Sequence, residues 1–473
     1  MSYDFDLVVL GGGPAGEKGA AQAAYFGKRV ALVERAEEPG GAAVHTGTLP
    51  SKTLRETAIF LSGYRQSELY GLSVAVNPEL AVPKLLSRKN AVRDAEVARI
   101  HWNLERHNVA LLHGLARFAD PNTVEIVQPG GGTRRVTTEV ALIATGSKPF
   151  QPSNIPFDDE DIDDSDTVLQ IDRLPKTMTI LGAGVIGCEY ACMFAAMHVK
   201  VTLVEGRPRL LPFLDLEMGE RLHGAMTNLG IEVLLEESVK GVARDPRGIV
   251  CTLASGKELV SEKLLAASGR SGCTEELGLG GVGVATDKRG YVQVDADYRT
   301  AVASVYAAGD VIGFPALAST SMEQARVAVC HAFGFQYKRQ VSHLLPFGIY
   351  TIPEVSCVGL SEEDAKAKSI DYVVGRAFYR DNARGKIVGD KEGVIKLVFD
   401  RTSRLLIGCH CIGDRASELV HVGQALITLG GTVETLIEMV FNYPTLSEMF
   451  KYAAYVALIQ LGEAKSPTPP VAP

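Results

Sequence analysis

Apolar residues run unbroken through FDLVVL, Phe5 to Leu10, and stop at a glycine turn, GGGPAGEKGAAQAA, where small residues take over. A second apolar run, KRVALVE, ends on Glu34. A short continuous apolar run bounded by turn residues predicts a strand covered on both faces, and the small-residue stretch predicts a helix packed closely on it. The phrase then returns as TMTILGAGVIGCEYACMFAAM and VKVTLVE. Gly11, Gly13, Gly16 and Glu34 each recur 171 residues later, as Gly182, Gly184, Gly187 and Glu205. One constant offset across four positions marks a duplicated unit.

Between and after the two copies the pattern changes. PSKTLRETAIFLSGYR starts a helix, and a long charge-rich helix is predicted from Ser87 to Asn108. VALLHGLARFAD reads as a strand, VEIVQ and TRRVTT as a hairpin about PGGG, and EVALIATGSKP as a buried strand ending at Thr145 and Gly146. NIPFDDEDIDDSDT breaks the apolar pattern with acidic residues and predicts a solvated connection between domains. SVYAAGDVIGFPALASTSMEQARVAV predicts a short strand, a turn on Gly309 and Asp310, and a helix beginning near Ala318. Beyond about Leu344 the strands EVSCVGL, GVIKLVFD and LLIGCHCIG, with helices after Arg415 and Pro444, describe an α+β module. The tail AKSPTPPVAP predicts disorder.

Composition narrows the function classes. A chain 46% hydrophobic and 22% charged, with 48 glycines, suits a globular α/β protein of about three domains. The net charge of −8 gives no electrostatic basis for nucleic acid or an anionic membrane as partner. No apolar run approaches the roughly 18 residues of a membrane span. MSYDFDLVVL lacks the charged region and cleavage site of a signal peptide, so a cytoplasmic location is expected. None of the eight cysteines forms a CxxC. Cys188 with Cys192, and Cys409 with Cys411, are expected to be packed thiols, because two ligands alone make a poor metal site; no metal is expected.

Strand, glycine turn, helix, strand and acidic end together make the dinucleotide-binding fingerprint. The first glycines allow the tight turn and close approach of a pyrophosphate. The helix N-terminus offers N–H groups and a positive dipole to phosphates. The acidic residue accepts from ribose hydroxyls. Two such units suit two nucleotides that meet, as when a nicotinamide passes hydride to a flavin.

GGAAVHTGTLPSK, Gly40 to Lys52, follows the first unit and nearly spells GG-x-C-x4-C-x-PSK, the redox motif of flavin-dependent disulfide reductases. The cysteine positions fall on Ala43 and Thr48. With the two fingerprints, ATG at Ala144 to Gly146 and AAGD ending at Asp310, the chain resembles, over nearly its full length, the two-dinucleotide-binding flavoproteins that include glutathione reductase and dihydrolipoamide dehydrogenase. The resemblance implies an α/β fold of two Rossmann-like dinucleotide-binding domains plus a C-terminal α+β dimerisation domain. It divides the chain into an FAD-binding domain (1–150), an NAD(P)-binding domain (151–272), a central part completing the FAD domain (273–343), an interface domain (344–463) and a tail (464–473).

By the same resemblance FAD would be held by Gly11, Gly13, Gly16, Glu34, Arg35, Gly41, Thr46, Gly47, Ala116, Thr145, Gly146 and Asp310. The helix beginning at Leu317 and Ala318 would point its N-terminus at the flavin N1/O2 edge. NAD(H) or NADP(H) would lie on Gly182, Gly184, Gly187, Glu205 and Arg207, under Gly269 and Arg270. Lys52 would stand against flavin N5 with Glu189 as its carboxylate partner. The family's histidine acid–base, in HP-T-x-x-E, is replaced in FNYPTLSEMF by Tyr443, while Glu448 is kept. Losing both cysteines and the histidine together is coherent, since a site that makes no dithiol has no thiol protons to move.

Within the family TGTLPSKTLRE, GIYTIPEVSCVGLSEE and FNYPT most resemble the soluble pyridine nucleotide transhydrogenases. The expected activity is therefore FAD-dependent hydride transfer from NAD(P)H to NAD(P)+ without a disulfide. Two alternatives stay open: an NAD(P)H:quinone reductase using His45, Thr46 and Thr48 on the freed flavin face, and a flavin-binding regulatory protein. Glu205 favours the 2′-hydroxyl of NAD over the phosphate of NADP, and Arg207 and Arg209 could offset this. A homodimer, with Tyr443 delivered to the partner's flavin site, is implied by resemblance.

Overall fold

A computed structural model of the chain describes residues 3–64, 69–71, 78–158 and 160–462. The predicted tail beyond Ala464 lies outside the described residues.

The first α/β unit is a seven-stranded sheet. Strands β1 (Phe5–Leu10), β2 (Val30–Glu34) and β3 (Ala110–His113) run parallel, and β1 also pairs in parallel with the C-terminal half of β6 (Gly132–Ile143). The N-terminal half of β6 continues as an antiparallel meander with β5 (Thr123–Gln128) and β4 (Leu115–Asp120). β1 and β2 bury Leu7 to Leu10 and Val30 to Val33, as their apolar runs require. Helix α1 (Pro14–Tyr25) lies on the sheet. It is followed by the short α2 (Gly41–His45), then α3 (Thr48–Ser62) and the long α4 (Pro78–Arg106). α4 begins well before the predicted Ser87, because Val82 and Leu85 extend its apolar face into a cluster with Leu54 and Ala58.

The second unit is a five-stranded parallel sheet ordered β11-β10-β9-β15-β8. Its strands are β8 (Ile162–Asp164), β9 (Thr177–Leu181), β10 (Lys200–Val204), β11 (Glu232–Leu234) and β15 (Lys263–Ala266), with α5 (Val185–Ala196) and α6 (Leu216–Asn228) against it. A three-stranded antiparallel sheet, β12 (Val239–Asp245), β13 (Gly248–Leu253) and β14 (Glu258–Ser261), joins the unit. The acidic stretch expected to be a solvated connection supplies β8, which is buried. Its charges are accommodated locally. Asp164 accepts from the amides of Asp166 and Thr167, and the Lys263 ammonium lies 3.4 Å from Asp161 and 3.7 Å from Asp163.

The chain leaves the first unit through β7 (Ser147–Pro149) and returns through β16 (Arg270–Gly272), and these two strands pair with each other. β17 (Val305–Ala307) then adds beside β6, and α7 (Ala318–Ala332) packs against α1. The C-terminal module is an antiparallel sheet, β18 (Phe347–Ile349), β19 (Glu354–Gly359), β22 (Leu406–Gly413), β21 (Val394–Asp400) and β20 (Tyr372–Phe378). It is covered by α8 (Ala416–Leu429) and α9 (Met449–Gln460). β20 was not legible in the sequence. Its Gly375 exists because α9 crosses so closely that a Cβ there would come within 1.9 Å of the Ala453 carbonyl oxygen. Among the described residues no helix is long and apolar enough to cross a membrane.

Candidate active site

The two fingerprints fold into the same object. A Cβ on Gly16 would lie 1.8 Å from the Gly11 carbonyl oxygen, and one on Gly187 would lie 1.8 Å from that of Gly182. Only glycine lets each helix start pressed against its strand–helix turn. Gly13 and Gly184 cap α1 and α5 with nearly identical backbone angles, and neither helix has a side-chain cap. The first-turn N–H groups are therefore left for a phosphate. α7 also starts without a side-chain cap, at Leu317 and Ala318.

Glu34, the last residue of β2, and Glu205, which follows β10 directly, are both buried. Glu34 accepts from the amides of Gly12 (2.7 Å) and Ala36 (2.9 Å). Glu205 accepts from Ala183 (2.8 Å) and Arg207 (2.9 Å). Beside the second fingerprint a surface cleft lined by Leu181, Gly182, Val204, Gly206, Glu237 and Val239 opens over the strand ends.

The stretch Gly40–Lys52 wraps onto the first fingerprint. The Gly40 amide donates to the Gly12 carbonyl at 2.9 Å, and Gly41 meets Gly13 so closely that a Cβ would fall 2.8 Å from the Gly13 Cα. Gly47 caps α3, and its carbonyl accepts from the Ser51 amide and hydroxyl. This path places Lys52 on the first turns of α3, facing α5. The Lys52 ammonium donates to Glu189 at 2.6 Å, and the other Glu189 oxygen accepts from the Tyr350 amide at 2.9 Å. The ammonium also lies 5.1 Å from the centre of the Tyr350 ring. Three separate parts of the chain thus meet on one ion pair. Tyr350 lies in the segment GIYTIPEVSCVGLSEE but was given no role by sequence reasoning, because it acts through its backbone amide and approaches from 161 residues away.

Ala43 and Thr48 stand at the positions of the absent cysteines, and all eight cysteines of the chain are free. Seven are buried; Cys273 is half-buried, and burial pushes its thiol up. Cys273 adjoins the ATG strand end, where the Thr145 hydroxyl donates to its carbonyl at 2.7 Å and its amide donates to Gly146. His45 is taken up by its own loop, with Nε2 3.1 Å from the Pro39 carbonyl oxygen.

Asp310 accepts from Ser147 (3.2 Å) and Ser321 (3.3 Å). Arg270 donates through Nε to Ser147 at 2.8 Å and sits 3.5 Å from Asp166. Burial pushes the Asp166 carboxyl up, against the opposing pull of Arg270, and the Thr46 hydroxyl reaches the same carboxyl. Asp166 is a second residue without a sequence signal, since it lies in the acidic stretch. Gly269 takes φ 100° and its carbonyl accepts from the Phe150 amide. Arg35 pairs at the surface with Glu276 at 3.5 Å, and Ala116 is buried in β4. Arg207 grips Glu205, whereas Arg209 is turned back onto the Pro212 carbonyl.

Tyr443 and Glu448 are not joined to this cluster within one chain. Tyr443 is 74% exposed, and Glu448 accepts from Tyr452 at 3.0 Å and Asn382 at 3.5 Å. Both lie on the C-terminal module, which also exposes Leu429, Val440, Tyr455 and Val456.

Duplicated fingerprint, ion pair between them and a separate antiparallel module define one class: the chain belongs to the pyridine nucleotide-disulphide oxidoreductase family, whose description matches residues 5–332, with the family's dimerisation domain matching residues 345–454. Among individual proteins it is similar to the soluble pyridine nucleotide transhydrogenase of Mycobacterium tuberculosis, at 45% identity over 95% of this chain and 96% of that one. The enzyme of the same name from Pseudomonas aeruginosa is 38% identical over 97% of this chain and 99% of its own. Of solved structures, LpdA from Mycobacterium tuberculosis superposes with a TM-score of 0.88 at 27% identity, covering 95% of this chain and 98% of that one. The HOCl-induced flavoprotein disulfide reductase RclA from Escherichia coli superposes with a TM-score of 0.85 at 25% identity, covering 94% and 98%.

Proposed function

We propose that the protein is an FAD-dependent pyridine nucleotide transhydrogenase, taking hydride from NAD(P)H and returning it to NAD(P)+ with no disulfide step. One observation carries the reading: the Lys52–Glu189 pair, anchored by the Tyr350 amide, is kept, while Ala43 and Thr48 occupy the positions where a disulfide reductase needs sulfur. The relatives named for this activity, similar along nearly the whole chain, support it.

The residues fit FAD in the first unit. The closed turn on Gly11 and Gly16, the uncapped N-terminus of α1 and the carboxylate of Glu34 suit its pyrophosphate and ribose, and Asp310 and the start of α7 suit the remainder. FAD would supply a group that accepts and returns two electrons as hydride. Lys52 would set its ammonium beside that group, where a positive charge favours the reduced form. Glu189 fixes the ammonium in place and is itself fixed by the Tyr350 amide, so neither charge must reorganise when electrons arrive. The uncapped N-terminus of α7 adds a partial positive charge of the same sign. Thr46, Asp166 and Arg270 brace the junction between the two units. Gly182, Gly184, Gly187 and Glu205 would hold the nicotinamide nucleotide, donor and acceptor using this one site in turn.

The exposed apolar side chains of the C-terminal module, together with its match to a dimerisation domain, support a homodimer in which Tyr443 of one protomer reaches its partner's site. Quinone reduction is the weaker reading, because His45, its candidate donor, is engaged with Pro39. The test is an anaerobic titration in which NADPH bleaches the bound flavin and NAD+ then restores its colour. Bleaching without recovery would sink the transhydrogenase reading and leave an outside acceptor.

A further inference from the structure

The duplicated fingerprint contains its own control. Gly12 and Ala183 occupy equivalent positions 171 residues apart and give the same bond to the same acidic oxygen, as do Ala36 and Arg207. The backbone bonds to the carboxylate are the same in both units, and the difference that reaches its oxygens is at one pair of positions: a methyl at 36 and a guanidinium at 207.

That difference decides how many acceptor sites remain. A carboxylate offers about four lone pairs, two per oxygen. Glu34 uses one on each oxygen for its amide bonds, which leaves both oxygens able to accept from ribose hydroxyls. Glu205 also binds the Arg207 guanidinium twice, Nε to Oε1 at 2.9 Å and Nη2 to Oε2 at 2.8 Å. Its acceptor capacity is then full. Burial pushes the Glu205 carboxyl up, but Arg207 and the two amides outweigh it and hold the group below the usual carboxylate range. The carboxylate is therefore an anion at neutral pH, unwelcoming to a phosphate.

We infer that Arg207 is an internal competitor at the adenosine ribose position of the nicotinamide nucleotide, and that its two alternative partners let one site take both nucleotides. The inference rests on the transhydrogenase reading and specifies its nucleotide site. The guanidinium must leave Glu205 before a 2′-hydroxyl can donate to that carboxylate. When a 2′-phosphate arrives, the same fork transfers from carboxylate to phosphate, which it fits equally well. Arg207 can make this move because its side chain is 48% exposed, while Glu205 stays in place on its two amide bonds. Arg209 is not a substitute, being held on Pro212. Each nucleotide thus gives up part of its binding to separate Arg207 from Glu205. Re-closure of the pair helps expel it, which suits a site that must release one nucleotide before binding the next.

The test uses the adenosine halves alone, 5′-AMP and 2′,5′-ADP, titrated calorimetrically into the oxidised FAD-loaded dimer. In Arg207→Ala the affinity for 2′,5′-ADP should fall by about tenfold or more, as expected for losing a charge-assisted bidentate contact. The affinity for 5′-AMP should rise, because the ribose acceptors are freed. Arg207→Lys should keep most of the 2′,5′-ADP affinity, since a point charge still binds phosphate. Equal weakening of both probes, an unchanged ratio, or no binding of either to the parent protein would overturn the inference. The outcome is separable from hydride transfer. A shifted ratio in a protein without transhydrogenation would refute the activity and keep the competitor, and an unshifted ratio in an active enzyme would do the reverse.

Discussion

The Lys52 ammonium and the Glu189 carboxylate, 137 positions apart in the chain, lie 2.6 Å from each other on the facing surfaces of α3 and α5. The pair is partly buried, and a charge removed from such a setting leaves its partner uncompensated. Replacing Lys52 by Met should slow flavin reduction by NADPH by about 10²–10³-fold, the range seen when one preorganised donor is removed from an active site. Glu189→Gln, which retains a carbonyl acceptor for the Tyr350 amide, should cost less. Stopped-flow bleaching of the flavin measures both. Equal rates in Lys52→Met and parent protein would remove the ion pair from the chemistry.

The two helix starts should be separable by the same small change. A methyl at Gly16 or Gly187 meets a carbonyl oxygen at 1.8 Å, so each strand–helix turn must open. Gly16→Ala is expected to purify with little flavin. Gly187→Ala should keep its yellow colour and lose nicotinamide binding. Absorbance of the purified protein and nucleotide titration distinguish the two, and loss of FAD from Gly187→Ala would contradict the division of labour.

Thiol reagents should leave the enzyme working. Seven cysteines are buried, and burial holds the Cys273 thiol in its protonated, unreactive form at neutral pH. Iodoacetamide treatment of the NADPH-reduced protein is expected to change the transhydrogenation rate by less than about twofold, since no low-pKa thiolate is exposed. Rapid inactivation, with a carboxamidomethyl group mapped to one cysteine, would reveal a sulfur in the cycle.

The second unit and the C-terminal module share a buried charge cluster. Lys396 donates to both Asp215 oxygens at 2.8 Å and lies 2.6 Å from Glu362 and 3.3 Å from Glu217. Lys396→Met strands these carboxylates and should lower stability by about 3–5 kcal/mol. Thermal unfolding followed by circular dichroism reports it, and a change below about 1 kcal/mol would place the cluster outside the cooperative core.

Acid should destabilise the fold in two steps. His410 is buried, and burial lowers its pKa from an ordinary 6.5 despite the pull of Asp215. Below that ordinary value the unfolded chain binds a proton that the folded chain resists, so stability falls as pH drops from about 6.5. Asp215 is shifted downward: burial raises it, but His410 and Lys396 outweigh that effect. Its contribution holds at neutral pH and fades as pH drops from 3.8 through the lowered folded value. His410→Gln, which can still donate to the Leu360 carbonyl, should flatten the upper step in melting temperature between pH 7 and 5. An unaltered slope would assign that step to other histidines.

The parts legible in the sequence are those whose cause is local. The fingerprint glycines, the hairpin about PGGG and the helix after Leu317 are each dictated by a few neighbouring residues, and each appears where the pattern puts it. The family resemblance pointed to Lys52 and Glu189 as a pair, and the fold brings them together. Most of what stayed hidden depends on residues far apart or on the direction a side chain takes. β8 is acidic yet buried, because Lys263 and backbone amides receive its charges. Tyr350 acts through its amide, which carries no side-chain signature. Whether Arg207 turns outward or onto Glu205 cannot be read from EGRPRLL.

The ribbon of β7 and β16 constrains how substrates come and go. The chain passes from the first unit to the second through Ser147–Pro149 and comes back through Arg270–Gly272, and these two crossings are zipped together by Ser147↔Gly272, Lys148↔Ser271 and Pro149↔Arg270. A lone linker would act as a universal joint; a paired one acts as a leaf spring, stiff to twist and yielding only to a shallow bend. Nucleotides exchanging at the proposed site are therefore expected to meet a doorway whose width is set by side chains rather than by a swing of one domain away from the other.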